Sequence, residues 1–271
     1  MVTTTDICDP NFPEPIWDYD GDNGPDNWDE LNRDYRKCGL GQKQSPINID
    51  TQNVVGTKWY GALRFRYGSP DLILKNTGRE IEIKFSDDSN KLVIANQEYE
   101  LKEVHFHTPS EHTVDLQTYP VEIHLVHEQV RNSFTKRVVV GVFINPGKAN
   151  SFLNLITSNL LNQIGCERNV DNKDEVSVDR LLPKVRDFYY YSGSLTTPPC
   201  TENVHWIVFQ EPVEASELQI SQLSSVFPFF NTRPIQLINN RLVKLIVNNK
   251  HSGDNNSNED KDKLVAKTLV N

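Results

Sequence analysis

Short apolar runs separated by turns fill the chain from Ile47 onward, and this pattern constrains the fold more than any other feature. In Glu80–Phe85 apolar and polar residues alternate, which is the period of a strand with one buried face. Ser151–Ile164 instead has apolar residues at helical spacing, and Ser216–Phe227 is predicted as a second helix. The predicted strands are 63–67, 72–75, 80–85, 91–94, 103–107, 121–127, 138–144, 204–209 and 242–247. Because strands are many and do not alternate regularly with helices, we predict a mainly β (α+β) single domain.

Length and composition fit one large domain with short extensions. The chain has 271 residues, of which 37% are hydrophobic, with no internal repeat and no Pro/Gly/Ser-rich linker in its middle. We predict an N-terminal extension over 1–16, the domain over 17–247, and a polar, flexible tail over 248–271, where Asn255 begins a glycosylation sequon. The first residues do not form a signal peptide, although a secreted chain whose signal peptide has been removed would begin in the same way.

Charge and hydropathy disfavour two classes of partner. The formal net charge is −9 and no basic cluster could follow a phosphate backbone, which argues against nucleic acid. No apolar run reaches the ~20 residues of a membrane-spanning helix. We therefore expect neither a nucleic-acid partner nor a membrane span.

Three of the seven histidines stand where they could bind a metal ion. His105 and His107 flank Phe106 in one predicted strand, so their side chains point to the same face. Glu122 and His124 repeat this spacing in another strand. If the two strands are neighbours, three imidazoles converge with a carboxylate behind them, and three nitrogen ligands with an open fourth position are typical of a catalytic zinc site. On spacing alone, hydrogen-bonded structural histidines are the alternative.

The four cysteines are Cys8, Cys38, Cys166 and Cys200, and no two of them form a Cys-x-x-Cys pair. This argues against a metal clip and against thioredoxin-like chemistry. Spacing alone leaves both two disulfides and four free thiols open, and it does not choose among the three possible pairings.

Separated motifs in a fixed order carry a family resemblance. The three strongest are His105–His112 (HFHTPSEH), Glu122–His127 (EIHLVH) and Ser194–Cys200 (SLTTPPC). They are supported by Asn23–Pro25, Gln44–Ile49, Asn231–Gln236 and Asn239–Arg241. Together they resemble the α-class carbonic anhydrases over roughly residues 17–247, and their ordered occurrence is far more specific than any single motif.

The resemblance implies a fold and a metal site. The fold is a central twisted, mostly antiparallel ten-stranded sheet, with zinc at the floor of a conical cavity. His105, His107 and His124 would be the zinc ligands. Glu122 would hydrogen-bond the far nitrogen of His124, and Asn240 would support a ligand histidine through its backbone carbonyl.

The resemblance also implies an activity, the reversible hydration of carbon dioxide to bicarbonate. Zinc lowers the pKa of bound water from about 15.7 to about 7 and so makes hydroxide available. Thr196 would accept the hydrogen of this hydroxide and donate its own to Glu111, which aims the nucleophile. Sulfonamides and anions would inhibit. The substrate is expected against Thr196, Thr197 and an apolar wall of Val126, Val139, Leu195, Val204 and Trp206.

Two of the cysteines match the disulfide of the family's secreted members. Cys38 and Cys200 occupy those positions, which implies an oxidising, extracellular location. For Cys8 and Cys166 two alternatives stay open: a second bridge, or pairing of one of them with another chain to give an oligomer.

Three positions depart from the family pattern. Where fast members carry a proton-transferring histidine, this chain has Arg79, which stays protonated at physiological pH and cannot cycle a proton. Glu82 and Glu103 stand where many relatives have neutral amides. Glu103, two residues before His105, is expected to contact that ligand. We therefore predict turnover limited by proton transfer. The competing hypothesis is a non-enzymatic matrix, storage or biomineralisation protein on the same fold.

Overall fold

The computed structural model describes residues 6–13, 16–58, 63–131 and 134–247. The predicted tail over 248–271, with the sequon at Asn255, lies outside the described residues, as do residues 1–5, 14 and 15 of the predicted extension. The domain limits at residues 17 and 247 stay a prediction.

Strands dominate the described ranges, and the helices are short. The α-helices are α1 (Trp28–Leu31), α2 (Lys37–Leu40), α3 (Ser151–Thr157) and α4 (Glu217–Ser224). Single 3₁₀ turns lie at Gly21–Asn23, Arg33–Tyr35 and Val178–Leu181. The strands are β1 (Ile7–Cys8), β2 (Asn48–Ile49), β3 (Val55–Lys58), β4 (Leu63–Arg66), β5 (Leu72–Asn76), β6 (Ile81–Phe85), β7 (Lys91–Ile94), β8 (Gln97–His107), β9 (Thr113–Val114), β10 (Val121–Arg131), β11 (Phe134–Pro146), β12 (Cys166–Val170), β13 (Phe188–Ser194), β14 (Glu202–Phe209), β15 (Val213–Ala215) and β16 (Lys244–Val247). Within the described residues, no helix has the length and apolar composition needed to cross a membrane.

One large, mixed sheet contains fourteen of the described strands. Its main order is β1-β12-β5-β6-β8-β10-β11-β14-β13-β16-β3, and β4, β7 and β15 attach beside this path. Most neighbours are antiparallel, while β14 and β15 run parallel to β11, and β3 runs parallel to β16. The predicted mainly β class is confirmed. The strand number exceeds the expected ten because strands of two or three residues, such as β1 and β15, are paired at the margins of the sheet.

Strands β8 and β10 have one apolar face and one polar face, as period-two alternation requires. Val121, Ile123 and Leu125 of β10 lie in the larger hydrophobic core, together with Val104 and Phe106 of β8. Residues of α3 and α4 belong to the same core, so both helices cover this face of the sheet. His105 and His107 of β8 and Glu122 and His124 of β10 therefore face the opposite side, where they are nevertheless buried.

Helix α3 is shorter than predicted. It ends at Thr157 instead of Ile164. The side chain of Asn159 donates to the carbonyl of Leu155 at 2.9 Å, and the N–H group of Asn159 bonds to Ile156 instead. The carbonyl that residue 159 would need to continue the helix is thus occupied by its own side chain, a competition typical of asparagine. For α4, Ser216 and Gln219 form a reciprocal capping box that starts the helix.

Two disulfides link distant parts of the chain. Cys8 pairs with Cys166 and Cys38 pairs with Cys200, and no cysteine is free. In the sheet register Cys8 of β1 lies directly opposite Cys166 of β12, which brings the two thiols together. The second bridge is therefore the alternative that applies, and neither Cys8 nor Cys166 is left to pair with another chain.

We expect the Cys8–Cys166 bridge to stabilise the fold. It joins residues 158 positions apart and holds β1 on the edge of the sheet. A Cys8→Ser, Cys166→Ser double variant should lose about 2–4 kcal/mol of the free energy of unfolding, because its unfolded chain is less constrained. Equilibrium unfolding in urea measures this. A loss below about 0.5 kcal/mol, the usual range of a surface substitution, would contradict the expectation.

Candidate metal centre

The three histidines of the sequence pattern converge on one point. Strands β8 and β10 are antiparallel neighbours, with His124 opposite His105 and Glu122 opposite His107. Each histidine offers a ring nitrogen, and these atoms lie within 4.8 Å of one another. All three side chains are buried. The structure thus provides three imidazole donors side by side on the polar face of β8 and β10.

Hydrogen bonds decide which nitrogen of His107 and of His124 faces the centre. Nδ1 of His107 lies 2.6 Å from the backbone oxygen of Asn231, to which it donates, so Nε2 is left toward the centre. Nε2 of His124 lies 2.9 Å from Oε1 of Glu122, which leaves Nδ1. Burial is the largest cause that lowers the pKa of both rings, to about 3 for His107 and about 4 for His124. Both rings are therefore neutral at pH 7, as ligands must be.

His105 lies beside two carboxylates, whereas a backbone carbonyl accepts from His107. Its Nδ1 lies 3.5 Å from Oε1 of Glu103, and its Nε2 lies 4.0 Å from Oε2 of Glu80. Burial alone would lower the pKa of His105, but Glu80 and Glu103 outweigh it and raise the pKa to about 9. A cation bound at this centre would displace the extra proton of His105 and would supply, in its place, the positive charge that the neighbouring carboxylates favour.

One buried atom tests whether these residues fit a metal ion. Nε2 of His107 has no hydrogen-bond partner, and its closest acidic neighbour, Oε2 of Glu111, is 3.4 Å away. A buried polar atom left without a partner costs about 1–3 kcal/mol, so such atoms are uncommon in native sites. Three imidazoles, with His107 presenting an unused nitrogen, fit a metal ion that prefers nitrogen ligands.

The expected role of Asn240 is wrong, and Asn231 takes it. Asn240 is exposed, whereas Asn231 is buried and its carbonyl accepts from His107. The Asn231 side chain also accepts from the N–H group of Thr108 and donates to the carbonyl of Phe106, both at 2.9 Å. These bonds fix the segment against β8. Both asparagines lie in the motifs that carried the resemblance, but a backbone carbonyl has no residue-type signature that could distinguish them.

Glu122 is the buried anchor behind His124. Its carboxylate accepts from the N–H groups of Glu111 and His112 at 3.0 and 2.8 Å, and it contacts Nδ1 of His112 at 2.7 Å. Burial by itself would raise the pKa of Glu122, but His112 and His124 lower it well below its usual value. The carboxylate is thus ionised and fixes the ring of His124. The other ring nitrogen of His112 contacts Tyr191 at 2.6 Å, so His112 has a structural role.

Glu111 and Thr196 are brought together beside the three histidines. Oε1 of Glu111 accepts from the backbone N–H of Arg233 at 2.9 Å. Burial raises the pKa of Glu111, and this is opposed by His124, by the Arg233 N–H group and by the hydroxyl group of Thr196. Sequence reasoning missed Arg233, whose guanidinium also donates to the carbonyls of Ser45 and Cys38. A backbone N–H group has no residue-type signature, so the sequence could not show that Arg233 supplies this donor; the arginine within Asn231–Gln236 was the one available signal.

The expected apolar wall is continuous. Val126 of β10 lies opposite Val139 of β11, which lies beside Trp206 of β14. These three residues and Val204 belong to one hydrophobic cluster, against which the partly buried Leu195 packs. The ring of Trp206 meets that of His124 edge to face, with centroids 4.8 Å apart. The wall therefore borders the histidine centre directly.

The loop that carries Thr196 is braced at both ends. Trp206 donates through Nε1 to the carbonyl of Ser194 at 3.0 Å. The N–H group of Cys200 donates to the carbonyl of Thr197 at 2.9 Å, and Cys200 is tied to Cys38 by the disulfide. Thr196 is buried, whereas Thr197 is half-buried. The bridge thus holds the turn that positions Thr196.

Arg79 is directed to Trp17 and Asp18. Its guanidinium lies 5.0 Å from the centroid of the Trp17 ring and 3.4 Å from Oδ2 of Asp18. Only 8% of the Arg79 side chain is exposed. The arginine therefore holds residues 17 and 18 by stacking and ion pairing, a role that its place in the sequence did not indicate.

Acidic side chains of β6 and β8 surround His105. Glu82 is hydrogen-bonded to Glu103, and its carboxylate lies 3.1 Å from Nζ of Lys84. Burial and Glu103 raise the pKa of Glu82 to about 7. Burial would also raise the pKa of Glu103, but contacts with His105 and Glu82 bring it down to about 2. Sequence reasoning missed Glu80, which directly precedes β6, although the alternation predicted over residues 80–85 places it on the same face as Glu82.

Known proteins share this chain's sequence pattern and fold. The eukaryotic-type carbonic anhydrase family model matches residues 23–247. A carbonic anhydrase from Nostoc sp. is 38% identical over 229 residues, which cover 84% of each chain. Dioscorin dioA3 from Dioscorea japonica is 34% identical over 224 residues, 82% of each chain.

A solved structure gives the same assignment. The α-carbonic anhydrase from Thermovibrio ammonificans, in complex with the inhibitor sulfanilamide, matches with a TM-score of 0.78 and 37% identity. The match covers 86% of this chain and 100% of that one. The chain belongs to the eukaryotic-type, or α-class, family of carbonic anhydrases, the enzymes that hydrate carbon dioxide.

Proposed function

We propose that this carbonic anhydrase binds one zinc ion through His105, His107 and His124 and uses it to hydrate carbon dioxide reversibly. The convergence of three buried ring nitrogens, with a carboxylate or carbonyl behind each ring, supports this most directly. When bound, zinc supplies hydroxide at neutral pH by lowering the pKa of water to about 7.

The chain's own residues orient the reaction. Glu111 is fixed by the N–H group of Arg233 and interacts with the hydroxyl group of Thr196. A hydroxyl group that donates its hydrogen to a carboxylate can only accept a hydrogen bond from the nucleophile. Thr196 would therefore fix the hydrogen of the nucleophile and so set the direction of the nucleophile's lone pair. The backbone N–H of Thr196 and the side chain of Thr197 would hold the product or an anionic inhibitor.

The apolar wall suits an uncharged substrate. Carbon dioxide has no net charge, and the wall of Val126, Val139, Leu195, Val204 and Trp206 offers no polar side-chain atom other than the indole N–H, which is bonded to Ser194. We expect sulfonamides to bind between this wall and Thr196, in keeping with the sulfanilamide complex of the Thermovibrio ammonificans relative.

The proposal predicts zinc-dependent, inhibitable hydration. Metal analysis should find about one zinc per chain, and stopped-flow measurements should show hydration that a sulfonamide abolishes. A non-enzymatic matrix, storage or biomineralisation protein, the competing proposal, would give neither result. Zinc-free protein that hydrates carbon dioxide, or zinc-loaded protein that does not, would contradict the function proposed.

Proton transfer is proposed to limit turnover, because Arg79 occupies the place of the proton-carrying histidine. The guanidinium of Arg79 also stacks on Trp17 and pairs with Asp18, and these contacts restrict its movement. We expect turnover to rise with imidazole concentration, since the buffer must remove the proton. Turnover that is as high in dilute as in concentrated imidazole would contradict this limit.

An Arg79→His variant tests whether proton transfer limits turnover by changing the protein instead of the buffer. At low buffer concentration we expect its turnover to exceed that of the wild type, by up to about tenfold, because a histidine can carry a proton near neutral pH. Arg79→Gln is the matched control, since it loses the contacts with Trp17 and Asp18 without gaining an imidazole. An equal rise in turnover in both variants would assign the effect to the lost contacts with Trp17 and Asp18 instead.

An extracellular location is part of the proposal. All four cysteines are paired, and stable disulfides are typical of oxidising compartments. Fractionation of the producing cells, with detection of unreduced protein by mass spectrometry, checks it: the protein should appear outside the cell with both bridges intact.

A further inference from the structure

One carboxylate beside the proposed metal centre has no part in the mechanism. Oε2 of Glu80 lies 4.0 Å from Nε2 of His105, the ring nitrogen that is not paired with Glu103. The Glu80 side chain is 22% exposed, so it lies in the wall with limited access to solvent. A charge at this place acts through a poorly screened environment.

The position of Glu80 is fixed by the turn between β5 and β6. Its carbonyl accepts from the N–H group of Thr77 at 3.0 Å and from the Thr77 hydroxyl group at 3.1 Å. Its own N–H donates to the same hydroxyl group at 3.2 Å. The backbone of Glu80 is therefore fixed in this turn, and its side chain lies on the side of the sheet that carries the histidines, 4.0 Å from His105.

Glu80 differs from the neighbouring acidic residues in its ion pairing. The carboxylate of Glu82 has Lys84 at 3.1 Å and shares a hydrogen bond with Glu103, which in turn lies behind His105. For Glu80, the ion-pair partner within 4.0 Å among the described residues is His105 itself. Burial raises the pKa of Glu80, and Glu103 and Glu111 act in the same direction, while His105 and Lys84 lower it. A divalent cation bound by His105 would favour the ionised form of the Glu80 carboxyl, because an opposite charge stabilises it, and this negative charge would then act on the metal centre.

We propose that Glu80 determines specificity at this centre by weakening the binding of anions, while uncharged carbon dioxide is unaffected. The inference rests on the proposed metal site. The overall equilibrium cannot change, so the effect falls on the binding of bicarbonate and of anionic inhibitors, which are repelled by a like charge several ångströms away. At an effective dielectric constant of about 20–40, this repulsion corresponds to a roughly tenfold change in affinity.

Anion titration of the cobalt(II)-substituted protein tests the inference without measuring activity. Cobalt replaces zinc at nitrogen sites, and its visible spectrum reports the binding of thiocyanate. We expect Glu80→Gln to bind thiocyanate about tenfold more tightly than the wild type at low ionic strength, and Glu80→Asp to stay within about threefold of the wild type. Added salt should reduce the difference in thiocyanate affinity between Glu80→Gln and the wild type, because it screens the charge of Glu80.

Glu217→Gln is the matched control, because Glu217 is an exposed residue in the first turn of α4, on the other face of the sheet. It changes the net charge equally and should leave thiocyanate affinity unchanged. Equal affinities of Glu80→Gln and the wild type, within twofold, would overturn the role of Glu80 and leave the metal site intact. A wild-type protein without a tetrahedral cobalt spectrum would overturn the proposed site and this inference together.

Discussion

Replacing His105 with alanine is expected to remove both zinc binding and carbon dioxide hydration. One of three protein ligands is lost, and loss of even an outer hydrogen-bond partner typically costs 10–100-fold in metal affinity. We therefore expect metal affinity to fall by more than about 100-fold and hydration to fall with it. His105 is the ligand to replace because its polar contacts are Glu80 and Glu103, whereas His107 and His124 belong to buried hydrogen-bond networks.

The control for this variant is another histidine outside the centre. His205 contacts the hydroxyl group of Tyr190 at 2.7 Å and lies on β14, away from the three ligands. His205→Ala should retain about one zinc per chain and near wild-type hydration. Circular dichroism of both variants verifies that they fold. A folded His105→Ala protein with full zinc content would contradict the ligand assignment.

Replacing Thr196 with alanine is expected to have the second largest effect. Hydration should fall by about 100-fold while zinc is retained, because the group that orients the nucleophile toward the substrate is lost but no ligand is. Thr196→Ser keeps the hydroxyl group and should recover most of the activity. The measurement is kcat/KM by stopped flow, with zinc content determined on the same samples.

Two results would decide against this role of Thr196. An alanine variant within about threefold of the wild type would show that the hydroxyl group does not orient the reaction. A loss that the serine variant shares would assign the effect to packing of the loop between Ser194 and Cys200, which the Cys38–Cys200 bridge braces. Thr135→Ala, at the exposed end of β11, controls for the substitution itself.

Local alternation carried much of the prediction. The alternation of His105, Phe106 and His107 placed two imidazoles on one face, and the same rule applies to Glu122 and His124. The three histidines form one centre only because β8 pairs with β10. The spacing of the residues alone could not show that these strands are neighbours. The family resemblance supplied that pairing.

Long-range partners were the part that sequence could not give. Cys8 meets Cys166 only because β1 and β12 pair across 158 positions, and spacing does not encode such a register. The carbonyl of Asn231 reaches His107 because its segment is anchored against β8, while the equally polar Asn240 stays exposed. Alternation could have placed Glu80 on the same face as Glu82. Its closeness to the metal centre follows only from the 4.0 Å distance to His105 in the structure.

The central claim is that three imidazoles of this chain hold one zinc ion and leave a position open. X-ray absorption spectroscopy at the zinc edge, on the zinc-loaded full chain, tests it most directly. We predict three histidine nitrogens and one exchangeable oxygen ligand, with the oxygen replaced by nitrogen when a sulfonamide is added. A site with sulfur ligands, with fewer than three imidazoles, or with no change on addition of the sulfonamide would contradict the account.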